Sequence, residues 1–456
     1  MLAGVVLAAG KGTRFKSKKP KVLQLILDKP MVWYVCKALE KVVNSLFMVV
    51  GYRKDMVCDE FEGMVDVFVS QDEQLGTGHA VMCAIPDLLS SKIEYCLVAN
   101  GDMPLVTDKI FKNFVDFCLA QRVDVGIVTT ELDNPFGYGR VWRDEKGLVK
   151  KIIEEKDIKD SSIRDIKEIN AGIYFLNIEK VKDLFKKLSN ENAQKEYYLT
   201  DLVEVAYQEG LKVLATVVDD GTCVLGANNP KELILCEKLL QNRINDKLLD
   251  RGVILRNPEL VRVGPEVEIE PGVELLGPLE VYGRSKIKED TLVESNVFIK
   301  DCEIGKGCII KSFSYLEGAV ISDFCTIGPF SRIRPDTFLD ENVRIGNFVE
   351  VKKSRLEKGV KANHLAYLGD ATVGEGTNIG AGTITCNYDG EKKHPTFIGK
   401  GAFIGSNTSL VAPVKIGDYS VVGAGSTITK DVPEKMLAVA RAKQKVVKYR
   451  KIKIKE

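Results

Sequence analysis

The chain has 456 residues, of which 45% are hydrophobic and 28% charged, and its formal net charge is +1. This length predicts two or three domains, and the balanced charge gives no support to a general nucleic-acid-binding role. The eleven cysteines include no C-x-x-C pair, which is typical of reduced thiols in a cytoplasmic protein. No apolar run has the length of a membrane span, so we expect no membrane span.

The N-terminal half alternates short apolar runs with amphipathic stretches, beginning with Met1–Ala9, which lacks the basic residues of a signal peptide. The predicted helices include Met31–Val43 and Lys109–Ala120. The predicted strands are Gly4–Ala9, Phe47–Val50, Val65–Val69, Tyr95–Ala99 and Val123–Thr129. This alternation predicts a Rossmann-like α/β domain whose mostly parallel sheet has helices on both faces.

A single helix is predicted after this domain, because Asn229 can cap it, Pro230 suits its first position and Gly252 can end it. From about Arg251 the chain changes to a six-residue period, in which an aliphatic residue precedes glycine. These dipeptides begin at Val373, Ile379, Ile398, Ile404, Ile416 and Val422. The period predicts a parallel β-helix, and we place its end near Asp431–Pro433.

One interval interrupts the period. Ile379 and Ile398 are nineteen residues apart, whereas Ile327 and Ile345 are eighteen apart. The polar residues 387–393 between them cannot line an apolar interior. They are predicted to form an extruded loop of the kind that often carries function.

Residues 7–14, Leu-Ala-Ala-Gly-Lys-Gly-Thr-Arg, follow the first predicted strand. Glycines at such a turn let backbone N–H groups approach phosphate oxygens, and Lys11 and Arg14 add positive charge. The segment is not a dinucleotide-binding fingerprint, because Phe15 occupies the third glycine position, and it is not a Walker A loop. By itself it leaves a nucleotide site and an ordinary turn equally open.

Other residues have both a chemical and a structural interpretation. Asp102 follows an apolar strand, where a carboxylate can bind Mg²⁺ or cap a helix. His364 lies within the repeats, either as a structural residue or as a base. His79 is interpreted as a structural residue near Gly76.

Cations recur in the C-terminal half. Arg334 and Lys352 are one eighteen-residue coil apart and have no obvious acid partner, which indicates an anionic ligand such as a phosphate. The basic tail from Arg441 to Lys455 is either a solvated terminus or a contact for an anionic ligand.

The ordered motifs resemble those of the bacterial bifunctional N-acetylglucosamine-1-phosphate uridyltransferase/glucosamine-1-phosphate acetyltransferases over nearly the whole chain. The matching segments are residues 7–14, Pro20–Leu23, Glu73–Ala80, Gly101–Leu105, Gly137–Arg140, Ile153–Asp157, Glu168–Gly172, Glu196–Asp201, Arg332–Pro335, Gly346–Lys353 and Ile379–Gly390. Asn100 departs from the tyrosine usual in that family. The resemblance implies a pyrophosphorylase (uridyltransferase) domain over residues 1–227, a linker helix over 228–251 and a left-handed β-helix acetyltransferase domain over 252–456.

For the N-terminal half, the resemblance implies Mg²⁺-dependent uridylyl transfer from UTP to N-acetylglucosamine-1-phosphate. Lys21 and Arg14 would stabilise developing charge, and Asp102 and Asn228 would bind Mg²⁺. The residues implied to contact UTP or the UDP-sugar are Leu7, Ala8, Ala9, Gly10, Lys21, Gln71, Gly76, Thr77, Gly139, Glu154, Asn170 and Asn228.

For the C-terminal half, the resemblance implies acetyl transfer from acetyl-CoA to glucosamine-1-phosphate, with His364 as the general base. The residues implied to bind the acetyl acceptor are Arg334, Lys352, Tyr367, Asn378 and Lys393. The residues implied to contact acetyl-CoA are Ala381, Asn387, Tyr388, Ser406, Ala424 and Arg441, and Asn387 would also orient the amine.

The resemblance further implies a cytoplasmic homotrimer with acetyl-transfer sites between subunits, supplying precursors for the bacterial cell wall. One alternative is a sugar nucleotidyltransferase whose β-helix only assembles or regulates it, and another is a non-enzymatic assembly subunit. His364 and the loop 387–393 favour two activities over the first alternative. Lys21, Asp102 and Asn228 argue against the second.

Overall fold

The computed structural model describes residues 1–447, and the chain divides into two compact units at Leu240/Gln241. The predicted basic tail is therefore described only as far as Val447, and its remaining residues lie outside the described part. Within residues 1–447, no helix has the length and apolar character needed to cross a membrane.

The first unit is built on one twisted sheet of nine strands. The strands of this unit are β1 Leu2–Leu7, β2 Leu25–Ile26, β3 Lys29–Pro30, β4 Ser45–Val50, β5 Val67–Ser70, β6 Tyr95–Asn100, β7 Val125–Glu131, β8 Arg140–Arg143, β9 Val149–Ile153, β10 Glu168–Asn177 and β11 Val213–Val217. The main path runs β11-β7-β10-β6-β1-β4-β5, and β8 and β9 extend it from β10. Four pairings on the path are parallel, but β10 runs antiparallel to both neighbours, so the sheet is mixed.

Helices cover both faces of this sheet, as the predicted alternation requires. The helices are α1 Met31–Leu39, α2 Lys54–Phe61, α3 Thr77–Ser90, α4 Asp108–Gln121, α5 Ser161–Arg164, α6 Ile178–Val181, α7 Asp201–Gln208 and α8 Pro230–Asp250. Short 3₁₀ turns occur at Thr13–Phe15, Lys21–Leu23, Glu155–Asp157, Leu184–Lys187, Gly221–Val224 and Pro258–Leu260. Successive residues of β1 enter opposite cores: Val5 packs with residues of α3 and α7, and Val6 with residues of α1 and α4.

Helix α8 begins where its sequence predicts. The Asn229 Oδ1 accepts a hydrogen bond from the Glu232 N–H at 3.1 Å, and the Glu232 carboxylate accepts one from the Asn228 N–H at 2.7 Å. This reciprocal capping satisfies N–H groups that the first helical turn cannot pair. The division between the two units falls inside this helix.

The second unit is a parallel β-helix with three flat faces. The first face has the strands Ile254–Arg256, Glu274–Leu276, Leu292–Val293, Ile309–Ile310, Thr326–Ile327, Arg344–Asn347, Lys361–His364, Asn378–Ile379, Phe403–Ile404, Val421–Val422 and Leu437–Ala438. The second has Val261–Val263, Leu279–Tyr282, Val297–Lys300, Tyr315–Glu317, Arg332–Ile333, Glu350–Lys352, Tyr367–Gly369, Ile384–Cys386, Ser409–Val411 and Thr427–Ile428. The third has Glu268–Ile269, Lys286–Ile287, Glu303–Ile304, Ala319–Ile321, Thr337–Leu339, Arg355–Leu356, Ala371–Val373, Thr396–Ile398 and Val414–Ile416.

The repeated aliphatic residues fill the interior of this β-helix. Ile327 lies beside Ile345, and Ile398 lies beside Ile416, in parallel register, and all four side chains are buried. Because each coil buries its aliphatic residues only against neighbouring coils, the core is one continuous column. The β-helix extends beyond the predicted end, since Leu437–Ala438 still pairs with Val421–Val422.

The interruption in the period also differs from the prediction. Ile379 and Ile398 lie on different faces, so the interval between them is not one coil. The longer coil runs from Val373 to its register partner Ile398, which is 25 residues later. The next coil, from Ile398 to Ile416, has 18 residues. The additional residues form a loop over 387–395, which includes the polar segment singled out in the sequence.

Candidate active sites

The glycine-rich turn after β1 forms one wall of a cavity of about 440 Å³ in the first unit. Gly12 adopts the left-handed conformation, with φ 62°, and packs against the Lys21 side chain. Residues of two further loops complete the wall. The lining includes Leu7, Ala9, Gly10, Lys11, Lys21, Gln71, Gly76, Thr77, Asn100 and Asp102.

The loop before α3 depends on a glycine and a buried amide. Gly76 has φ 109°, and a Cβ there would lie 2.5 Å from the Tyr197 carbonyl oxygen. The Gln71 Nε2 donates to the Gly76 carbonyl at 3.0 Å and lies 3.1 Å from the His79 Nδ1. His79 thus contacts the amide that holds this loop, and its structural role stays a prediction. Within residues 1–447 the Gln71 side-chain oxygen has no hydrogen-bond donor, so it is free to accept a hydrogen bond from a ligand.

The side-chain oxygens of Asp102 and Asn228 meet Lys21, which lines this cavity. The Lys21 Nζ contacts the Asp102 Oδ2 and lies 2.7 Å from the Asn228 Oδ1. Lys21 and Asp102 are largely buried, with 13% and 19% of their side chains exposed. Asp102 does not cap α4, because Thr107 occupies that position and its Oγ1 accepts from the Ile110 N–H at 3.4 Å. The helix-cap alternative for Asp102 is therefore wrong.

A second cavity, of about 620 Å³, adjoins the first and shares Asn100 and Asp102 with it. Its lining also includes Arg14, Gly139, Glu154, Asn170 and Asn228. The Asn170 N–H donates to the Gly139 carbonyl at 2.9 Å, which aligns these two segments. Burial raises the pKa of the Glu154 carboxyl, and the hydroxyl of Thr200 donates to its Oε1 at 3.1 Å.

In the β-helix, His364 lies on the first face, in register with Asn347. The two side chains are joined by a hydrogen bond of 2.8 Å between the His364 Nδ1 and the Asn347 Oδ1. Because a carboxamide oxygen can only accept, the Nδ1 is the donor of this bond, and the Nε2 takes no part in it. Asn347 was missed in the sequence, although it lies one coil before His364.

Basic residues lie on the adjoining second face. The Lys352 ammonium lowers the pKa of Lys393, which lies in the extruded loop, because the two like charges are neighbours. An anion would relieve this repulsion. Arg334 differs from its prediction, because its Nη1 lies 2.8 Å from the Glu350 Oε1. The acid partner was not obvious because Glu350 stands two residues before Lys352 and meets Arg334 only across coils.

Polar side chains surround the lysine pair. Tyr367 is the register partner of Glu350, and its hydroxyl lies over Gly369. The Asn387 Nδ2 donates to the Asp370 Oδ2 at 2.5 Å, which fixes the base of the extruded loop. Asn378 lies on the first face, where its register partner is Lys361 rather than His364.

Most of the other residues that the resemblance implies to contact acetyl-CoA lie along one corner of the β-helix. The Asn407 N–H donates to the Ala381 carbonyl at 2.7 Å, and the Gly425 N–H donates to the Ser406 carbonyl at 2.8 Å. The Arg441 Nη1 donates to the Ala424 carbonyl at 2.8 Å, so Arg441 closes this corner. Tyr388 is not on this corner but in the extruded loop, where it is 61% exposed and its backbone forms an isolated antiparallel β-bridge with Lys393.

Comparison with known proteins agrees with the division of the chain into two units. The family model of the MobA-like NTP transferase domain matches residues 4–155, and that of the bacterial transferase hexapeptide (six repeats) matches residues 395–430. The bifunctional protein GlmU of Nitratidesulfovibrio vulgaris (strain Hildenborough) is 49% identical over 444 residues, which cover 96% of each chain. That of Lawsonia intracellularis is 46% identical over 451 residues, which cover 98% of each chain.

The chain belongs to the bifunctional GlmU family. Membership confirms the predicted fold class, a Rossmann-like nucleotidyltransferase domain and a left-handed β-helix of hexapeptide repeats. It also confirms the family resemblance inferred from the motifs.

Within this GlmU chain, sequence reasoning missed two residues that hold other side chains in place. Asn347 binds His364, and Thr200 binds Glu154. Asn347 lies seventeen residues before His364, so the eighteen-residue spacing points one residue away, to Gly346, and only the observed register identifies Asn347. Thr200 lies in the matched segment Glu196–Asp201, but the sequence did not indicate its pairing with Glu154, because the two residues are 46 positions apart.

Proposed function

We propose that this GlmU-family chain makes UDP-N-acetylglucosamine by two successive reactions. Acetyl-CoA would acetylate glucosamine-1-phosphate in the β-helix, and UTP would then uridylylate the product in the nucleotidyltransferase domain. The observation that carries this proposal is the pair of separate constellations, Lys21–Asp102–Asn228 and His364–Asn347, each in its own unit. We assign uridylyl transfer to residues 1–227, a linker helix to 228–251 and acetyl transfer to 252–456.

In uridylyl transfer, a phosphate oxygen of the sugar-1-phosphate attacks the α-phosphorus of UTP and pyrophosphate leaves. The protein mainly positions the reactants and neutralises charge. Lys21 lies in the first cavity and Arg14 lines the second, so their cations flank the junction where the phosphates would meet. Gln71, Gly76 and Thr77 would bind uracil, and Glu154 would accept a hydrogen bond from a sugar hydroxyl.

The residues at this junction fit a magnesium ion. The side-chain oxygens of Asp102 and Asn228 both contact the Lys21 ammonium, so two hard oxygen atoms already converge on one positive charge. Mg²⁺ in phosphate-transfer sites typically takes one or two protein oxygens and completes its coordination with phosphates and water. When bound, it would supply charge neutralisation for the triphosphate. Lys21 would then be released to the phosphates.

In acetyl transfer, the amine of glucosamine-1-phosphate attacks the thioester carbonyl and the coenzyme A thiol leaves. The His364 Nε2 would accept the amine proton, because Asn347 holds the other ring proton in place. Lys352 and Lys393 would bind the sugar phosphate, with Tyr367 and Asn387 placing the sugar. Ala381, Ser406, Ala424 and Arg441 would hold acetyl-CoA along the corner of the β-helix.

The purified chain tests this function directly. Incubation with glucosamine-1-phosphate, acetyl-CoA, UTP and Mg²⁺ is expected to yield UDP-N-acetylglucosamine, detected by mass spectrometry. Omitting acetyl-CoA should abolish the product, and adding N-acetylglucosamine-1-phosphate should restore it. Uridylyl transfer without any acetyl transfer would favour the single-activity alternative.

We also propose a homotrimer, supported by an exposed ladder of apolar side chains beside His364. The ladder consists of Phe313, Phe330, Phe348 and Leu365, which are 53%, 46%, 56% and 60% exposed. The rings of Phe313 and Phe330 stack at 4.8 Å between centroids, and those of Phe330 and Phe348 at 5.3 Å. A continuous apolar stripe of this kind is typical of a protein interface.

Phe330→Asp is expected to convert the trimer into monomers, because it puts a charge in the middle of the ladder. Sedimentation velocity measures the change, and acetyl transfer should fall at least tenfold if the sites lie between subunits. Phe324→Asp is the matched control, since Phe324 is 52% exposed and has a similar positive φ of 59° but lies outside the ladder. A trimeric Phe330→Asp protein would contradict this interface.

We further propose that the enzyme acts in the cytoplasm and supplies precursors for the bacterial cell wall. All eleven cysteines are free thiols, which suits a reducing compartment. UTP and acetyl-CoA, the proposed substrates, are cytoplasmic metabolites in bacteria. No role in nucleic-acid binding is proposed.

A further inference from the structure

The segment Tyr197–Thr200 contacts residues that line each of the two cavities of the first unit. At one end it is bound to the loop before α3: the Tyr197 N–H donates to the Leu75 carbonyl at 2.7 Å, and the Gly78 N–H donates to the Tyr197 carbonyl at 2.8 Å. The Leu199 N–H donates to the Thr77 Oγ1 at 3.0 Å. Three hydrogen bonds thus fix the segment to the proposed uracil-binding loop.

At its other end the segment reaches the proposed sugar-binding carboxylate. The Thr200 Oγ1 donates to the Glu154 Oε1 at 3.1 Å, and Thr200 is 3% exposed. No other described residue donates a hydrogen bond to the Glu154 carboxylate. The second oxygen of this carboxylate therefore remains available to a sugar hydroxyl in the cavity that Glu154 lines.

We infer that Thr200 is a positioning residue for uridylyl transfer, which holds the Glu154 carboxylate toward the sugar from a segment anchored on the nucleotide loop. The inference rests on the proposed function and adds a residue to which no role had been assigned. Its physical basis is that a single hydrogen bond decides the direction of an otherwise unsupported carboxylate. Because the segment is fixed at its nucleotide end, the position of this bond is set before the sugar binds.

The surroundings of Glu154 make the hydrogen bond more important. Burial raises the pKa of this carboxyl, and the charges of Asp157 and Glu196 raise it further, while the Thr200 hydroxyl lowers it. Asp201 and Tyr174 also face Glu154, and proximity to Glu154 helps to raise the pKa of each. An ionised carboxylate accepts hydrogen bonds with both oxygens, so protonation would remove one acceptor.

Thr200→Val tests the inference, because valine keeps the shape of threonine and lacks the hydroxyl. We expect the KM for N-acetylglucosamine-1-phosphate to rise about tenfold, while the KM for UTP changes less than about twofold. The pH below which sugar binding weakens should move upward, because loss of the Thr200 bond raises the pKa of Glu154. Thr200→Ser retains a hydroxyl and is expected to behave like the wild type in both respects.

Two controls separate the possible outcomes. The KM for UTP of the same Thr200→Val protein reports that the nucleotidyltransferase unit is folded, since UTP is proposed to bind in that unit, whereas acetyl transfer reports only on the other unit. In a Glu154→Gln background, Thr200→Val should have little further effect on the sugar KM. An unchanged sugar KM, or an equal loss for UTP and sugar, would overturn the role of Thr200. Failure of the proposed function would instead show as a wild-type protein that makes no UDP-sugar.

Discussion

His364→Ala is expected to lower the rate of acetyl transfer by about 10²–10⁴-fold, the usual contribution of a general base. The amine of glucosamine-1-phosphate is protonated in water near neutral pH and must lose a proton to attack the thioester. In the proposed reaction the His364 Nε2 would accept that proton, because Asn347 occupies the other ring nitrogen. Release of the coenzyme A thiol, followed with a thiol reagent, measures the rate.

The same variant should retain uridylyl transfer within about twofold, since the two reactions are assigned to separate units. Lys361→Ala is a suitable control, because Lys361 is an exposed residue on the same strand and has no assigned role in either reaction. If the soluble His364→Ala trimer loses both activities, the two sites are not independent. If it keeps more than a tenth of its acetyl transfer, His364 is not the base.

Asp102→Ala is expected to have the opposite effect, lowering uridylyl transfer by about 10³-fold and leaving acetyl transfer intact. The substitution removes the only carboxylate of the proposed magnesium site. It also removes the ion-pair partner of Lys21, whose side chain is 13% exposed, so that the ammonium is left without its counter-charge. Release of pyrophosphate from UTP and N-acetylglucosamine-1-phosphate measures the loss.

A matched control lies six residues away. Asp108 also pairs with a lysine, Lys41, at 3.1 Å, but the pair is exposed and belongs to neither cavity. Asp108→Ala should therefore leave both activities unchanged. Pyrophosphate release by Asp102→Ala at the wild-type rate and with the wild-type dependence on Mg²⁺ would refute the metal-binding assignment. Isothermal titration of Mg²⁺ with UTP and each variant gives a second readout that does not depend on turnover.

The β-helix could be predicted from sequence because its interactions repeat. Each coil places its aliphatic residue against the next, so one period specifies many contacts. The same period placed Arg334 and Lys352 on neighbouring coils. It could not show that Glu350 pairs with Arg334, because the period specifies which backbone positions are adjacent and not which way a long side chain turns. It also gave the wrong interval for the extruded loop, because the three faces were not distinguished.

In the first unit, the five predicted strands agree with β1, β4, β5, β6 and β7 to within two residues at either end, whereas β8, β9, β10 and β11 were not predicted. The predicted β1 began at Gly4 and the observed strand is Leu2–Leu7, and the predicted Val123–Thr129 is observed as Val125–Glu131. Continuous apolar runs identify buried strands well, but the ends of strands depend on neighbours in the sheet. The antiparallel course of β10 was not predicted, because strand direction follows from connections that the apolar pattern does not record.

By itself, the sequence determined the two architectures, the glycine turns and the residue types needed for the two reactions. These follow from local patterns: hydrophobic period, backbone freedom at glycine and ordered motifs. Only the tertiary structure decided which side chains support the reactive ones, namely Asn347 beside His364, Thr200 beside Glu154 and Lys21 between Asp102 and Asn228. Thr200 lies 46 residues from Glu154, and Lys21 lies 81 residues from Asp102 and 207 from Asn228. Asn347 lies one coil before His364. Folding alone brings each of these groups together.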